Sequence, residues 1–150
     1  MSSKYVRDNI LQYLQDETSE NIIDLTAEFQ DVHDMVEANS LTVNDPWLGV
    51  QFVPSEEIPV DVSATNTKGK YREIGVILLH IVDVSSIGVH NSILTRAETV
   101  RDVFRGKRIA DSIIITQVSP AAFGESVTLN FEGGYTAGAV TLFYQRDLDL

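Results

Sequence analysis

Residues 74–84 read Ile-Gly-Val-Ile-Leu-Leu-His-Ile-Val-Asp-Val, the most apolar run in the chain. Gly75 aside it holds no helix breaker, and it is long for a strand. Extended backbone turns successive side chains to opposite faces, so Ile74, Val76, Leu78, Val82 and Val84 share one face while Ile77, Leu79 and Ile81 share the other. A strand that is apolar on both faces has to be covered on both. One layer of helices covers one face. The second needs another helix or a neighbouring subunit, which is a first sign of assembly.

Upstream of this run, Leu48, Val50 and Phe52 alternate with Gly49 and Gln51 between Asp45-Pro46 and Pro54, the pattern of a short strand. Ser55 to Lys70 is polar and rich in small residues, and is expected to form a long loop. Downstream, Gly88 breaks the chain and Asn91 or Ser92 can cap a helix whose apolar face is Ile93, Ala97, Val100 and Phe104. Gly106 is its natural stop, and Arg105, Lys107 and Arg108 suit the negative helix end. The expected core is Ile77, Leu79 and Ile81 from the strand with Val100 and Phe104 from the helix.

Three further strand patterns follow, over Ile109–Val118, Val127–Phe131 and Val140–Gln145, divided by turn residues at Pro120 and Gly124 and at Gly133-Gly134. At the other end, Val6, Ile10 and Leu14 predict a helix over Ser3–Gln15. Leu25, Phe29, Val32 and Val36, interleaved with Glu28, Asp31, Asp34 and Glu37, predict an acidic amphipathic helix over Glu20–Ala38. The expected order is α-α-β-β-α-β-β-β. This implies an α+β fold in which a mixed or antiparallel sheet of about five strands carries two or three helices on one side.

The 150 residues suit one domain, and 43% hydrophobic content with a mean hydropathy of −0.01 is enough for a core. Without cysteine there is no disulfide, thiolate nucleophile or thiolate metal site. The N-terminus lacks a continuous apolar region, so no classical signal is expected, and no stretch approaches the roughly 20 apolar residues that span a bilayer. With 22 acidic against 11 basic residues the formal charge is −11, which repels nucleic-acid phosphates.

Side chains that could carry chemistry are few. His80 and Asp83 lie three apart on a strand and point to opposite faces, Ser85 and Ser86 read as turn residues, and His33 and His90 complete the histidines. Nothing has metal-ligand or phosphate-loop spacing, so neither catalysis, a metal nor a cofactor is expected. Two basic clusters remain, Lys68/Lys70/Arg72 and Arg105/Lys107/Arg108, with Arg101 one helical turn before the second. Local cations on an acidic chain suit head-to-tail self-association, and these seven residues are the candidate subunit contacts.

Tyr71-Arg72-Glu73-Ile74-Gly75-Val76-Ile77, Gly88, Ala97-x-x-Val100-Arg101-Asp102-Val103-Phe104-Arg105-Gly106-Lys107, Gly124-Glu125 and Val127-x-Leu129-x-Phe131 together resemble small bacteriophage tail terminator proteins. The resemblance covers about Trp47 to Phe131. The acidic helix and the stretch from Gly133 to Leu150 are not part of its pattern. It implies a virion protein, built in the host cytoplasm, whose hexameric ring caps the tail tube at its head-proximal end. Its implied partners are further copies of itself, the tube protein and the neck or head-tail connector, with DNA passing through the channel unbound. Two other readings stay open, a neck or head-closure connector and an acidic DNA-mimicking binding module.

Overall fold

In the computed structural model, residues 3–25, 36–42, 44–59, 70–123 and 135–149 are described. Along the chain these form α1 (Lys4–Glu17), β1 (Ile22–Asp24), β2 (Trp47–Phe52), β3 (Glu56–Pro59), β4 (Lys70–Val84), α2 (Val89–Phe104), β5 (Arg108–Ile109), β6 (Ile113–Val118), β7 (Ala122–Phe123) and β8 (Tyr135–Asp149). The apolar run is the inner part of β4, which is 15 residues long and pairs antiparallel with all 15 residues of β8, from Lys70↔Asp149 to Val84↔Tyr135.

Around this pair the sheet runs in the order β1-β2-β4-β8-β6-β5, with β3 added to β4 beyond the end of β2 and β7 added to β8. The β1–β2 pairing is parallel and the others are antiparallel. The fold is therefore α+β with a mixed sheet, of eight strands among the described residues where about five are expected from sequence. The additional strands are short ones of two to four residues, too brief to leave a periodic trace.

Both α1 and α2 lie on one face. Val6, Ile10 and Leu14 of α1 and Val89, Ile93, Ala97, Val100 and Phe104 of α2 join Ile77, Leu79 and Ile81 of β4 in one buried cluster, with Leu48, Val50 and Phe52 of β2 and Val140, Leu142 and Tyr144 of β8. Tyr144 lies across Gly75, where an added Cβ would stand 2.4 Å from the phenol ring. Its hydroxyl donates to the buried Glu73 carboxylate at 2.7 Å. The glycine is thus a seat for the ring, not a flexible point.

Several local expectations are corrected. The helix expected from Glu20 does not begin there: Ile22–Asp24 is β1, paired with Leu48–Val50. Two consecutive β-branched isoleucines favour the strand, and their partner lies too far along the chain to be read from a window. Val36–Ala38 is helical, and Phe29 and Val32 lie outside the described residues. The long loop is shortened at both ends, because Glu56–Pro59 is β3 and Lys70 already belongs to β4. α2 starts at Val89 behind Gly88 (φ 82°), earlier than the Asn91 or Ser92 cap, and Gly106 (φ 64°) follows its end. Ala110 and Asp111, at φ 52° and 62°, split the expected strand over Ile109–Val118 into β5 and β6. The strand expected over Val127–Phe131 and the turn at Gly133-Gly134 lie outside the described residues.

Phe104 is fully buried and meets the Tyr13 ring edge-on at 5.2 Å, so it locks α2 to α1 as well as to the sheet. Phe104→Ala is expected to cost about 3–5 kcal/mol in denaturant unfolding. A loss below about 1 kcal/mol contradicts this packing.

Candidate assembly surface

Residues directly opposite in an antiparallel ladder point to the same side of the sheet. The side away from the helices therefore carries the even-numbered positions of β4, from Arg72 to Val84, beside the odd-numbered positions of β8. Its two halves differ. Toward Val84, the Trp47, Val82 and Tyr135 side chains form a second buried cluster with Ile23 and Val36, flanked by Leu25 and Leu41. The Arg96 guanidinium fastens this half from behind: it holds both Glu20 carboxylate oxygens, at 2.9 and 2.7 Å, and donates to the Val82 and Trp47 carbonyls.

Toward Arg72 the same side is bare among the described residues. Ile58, Ile74 and Phe143 are 39%, 43% and 36% exposed. Val76, Leu78 and Ile114 are half-buried around them. Aliphatic and aromatic groups this open cost free energy in water, at roughly 25 cal/mol per Å² of apolar surface. A monomer keeps such patches small unless they are used.

Between the halves sits His80, fully buried beside Gly49 and Ala139, with Nε2 2.9 Å from Gln51 Oε1. Burial drives its pKa down to about 4. Asp83 lies on the other side of the strand, as the alternation requires. Sequence reading also passed over Glu73, which is buried, accepts from Tyr144 and the Ser3 amide, and has Arg146 at 3.9 Å. Arg146 in turn stacks on the Tyr5 ring at 3.9 Å, so this group pins the start of α1 to the sheet.

The seven candidate contact cations fall into distinct settings. Lys68 lies outside the described residues, and Lys70 stands opposite Asp149 in the ladder. Arg72 binds Asp147 at 2.7 Å across β4 and β8. Arg101 binds Glu98 at 2.7 Å, while Arg105 reaches Asp102 at 3.1 Å and Glu98 at 3.4 Å, a ladder along the outer face of α2. Lys107 and Arg108 are exposed and take part in no ion pair among the described residues. Lys107 borders an open recess of about 470 Å³ with Tyr13, Glu17, Thr99, Asp102 and Val103. The register links the clusters, because Arg108, Ile114, Gln145, Ile74 and Glu56 form one transverse row, and Arg72 lies two residues beyond Ile74. Arg72 of the first cluster and Arg108 of the second thus both sit at the bare end of the sheet.

No known family model matches the chain, and no curated protein does. A solved structure with 14% sequence identity superposes with a TM-score of 0.56, covering 97% of this chain and 96% of that one. At that identity the likeness shows a shared fold alone. Among the described residues no helix is long and apolar enough to cross a membrane.

The buried neutral His80 makes stability depend on pH. Its pKa is about 4 folded against 6.5 ordinarily, so the unfolded chain binds the proton first and stability is lost as pH falls from about 6.5 to about 4. The expected loss over that window is about 3 kcal/mol by urea unfolding, absent in a His80→Gln chain. An equal loss in both chains contradicts the assignment.

Proposed function

We propose that this chain is a bacteriophage tail terminator, a structural virion protein whose ring, of six copies, caps the tail tube, stops tube growth and joins the tail to the neck. The sequence resemblance supplies the name of the role. The observation that carries it physically is the half of the sheet that is bare among the described residues, where Ile58, Ile74 and Phe143 are partly exposed on a face whose other half is packed. An apolar surface flanked by charge is what a subunit contact uses.

The charge supports the same reading. Six copies of a −11 chain carry a formal −66, and a channel wall richer in carboxylates than in Lys and Arg lets DNA pass without holding it. Screening over a Debye length of about 10 Å at 0.1 M salt favours assembly of such subunits over assembly at low ionic strength.

Light scattering and negative-stain imaging of the purified chain test the proposal. The expected species has about six times the 16.6-kDa mass and a central channel. Ile74→Asp is expected to leave the melting temperature nearly unchanged and to abolish the ring, because one exposed strand residue changes while the contact gains a desolvated charge. Duplex DNA is not retained by the protein at about 0.15 M salt. A compact monomer that inhibits a DNA-binding enzyme overturns the reading in favour of a DNA mimic, and tight duplex binding overturns it outright.

A further inference from the structure

Seven cations are held in ion pairs within the chain: Lys4, Arg7, Arg72, Arg96, Arg101, Arg105 and Arg146. Among the described residues Lys107 and Arg108 are not, and the Arg108 side chain makes no closer polar contact there than a 3.5 Å approach to the Asp111 carbonyl. They lie at β5, the last strand of the sheet. At the opposite edge of the same part of the sheet lies β3, whose outer side is unpaired among the described residues. It carries Glu56 and Glu57, both exposed and in no ion pair among the described residues.

We infer that the β3 edge of one copy joins the β5 edge of the next, with Glu56 facing Arg108, and with Glu57 and Lys107 two residues apart along the seam on the opposite side of the sheet. The inference rests on the ring reading above and names the surfaces that make the ring. Three features of the register favour it. First, Glu56 and Arg108 are the two ends of one transverse row, so the join needs no step along the strands. A heterologous contact without such a step closes into a ring when its rotation divides a full turn; one with a step winds into a helix.

Second, the row crosses β3, β4, β8, β6 and β5 through antiparallel pairings only, so β3 and β5 run in the same direction. Neighbours in a cyclic ring keep a common orientation, and the two edges meet in parallel. Third, Glu56 and Arg108 both point to the bare side of the sheet, as opposite residues in each ladder along the row do. On the bare side, Ile74 of one copy and Ile114 of the next then flank the Glu56–Arg108 pair, with Ile58 two residues further along β3. Pro59 offers no N–H to the outer edge, which limits unregulated strand addition there.

Charge reversal tests this with the intact chain. Glu56→Lys/Glu57→Lys gives a subunit with two basic edges, and Lys107→Glu/Arg108→Glu gives one with two acidic edges. By light scattering each alone is expected to fall to the 16.6-kDa monomer, and an equimolar mixture is expected to recover the ring with alternating copies in a 1:1 ratio. All four residues are exposed, so melting temperatures stay at the wild-type value. If either reversal unfolds the chain, Glu56→Gln/Glu57→Gln and Lys107→Gln/Arg108→Gln replace them, and each is expected to weaken the ring with a reduced dependence on salt. Rings that form as well from each single reversal as from wild type, or a mixture that stays monomeric, overturn the edge assignment and leave the ring reading standing. A wild-type chain that is monomeric at every concentration and salt tested overturns the ring reading, and this inference with it.

Discussion

The fifteen-residue pairing of β4 with β8 is the constraint from which the rest of the architecture is hung. Two strands of that length are amphipathic only in part, since β4 alternates between a face of Ile77, Leu79 and Ile81 and a face of Ile74, Val76, Leu78, His80 and Val82. The two helices close the first face. A 14-residue and a 16-residue helix are about 21 and 24 Å long. At about 3.4 Å per residue the strands they cover are roughly twice that length. The second face is closed over one half by the small cluster around Trp47 and Tyr135 and, among the described residues, is open over the other. An unequal covering of one long ladder thus gives one chain both a stable core and a surface with residual hydrophobic demand.

Charge is distributed with the same asymmetry. The covered half is tied by the Arg96–Glu20 pair, both partners largely buried, and by the Arg96 bonds to backbone carbonyls. Pairs of this kind fix geometry more than they add stability, because desolvation offsets most of the attraction. At the bare end the pairs are on the surface, such as Arg72–Asp147, and worth little in isolation. Among the described residues, Glu56 and Arg108 at the ends of the row through Ile74 carry opposite charge and take part in no ion pair.

Much of this was legible in the sequence where a periodic signal was long. The two-faced apolar run of β4, the four-three-four spacing of α2 and the stripe of α1 all placed their elements to within a few residues. What was not legible depended on partners distant in the chain. Ile22-Ile23 forms a strand only because Leu48–Val50 lies alongside, and Glu56–Pro59 only because β4 extends to Lys70. The alternation of Val140, Leu142 and Tyr144 already turned Phe143 to the other side, but nothing local says that this side is bare there. The basic clusters were visible as clusters; which cations are already matched, and which are free to meet a neighbour, is decided by Glu98, Asp102 and Asp147 in three dimensions.

On the proposed reading, the bare end of the sheet and its two edges are completed by another copy of the chain. Amide hydrogen exchange followed peptide by peptide, at concentrations below and above self-association, tests it most directly. Protection is expected to rise at residues 56–59 and 107–109 and around Ile74 and Phe143, while β1 and the covered half around Trp47 stay unchanged. Unchanged exchange at both edges together with new protection along the outer face of α2 contradicts it.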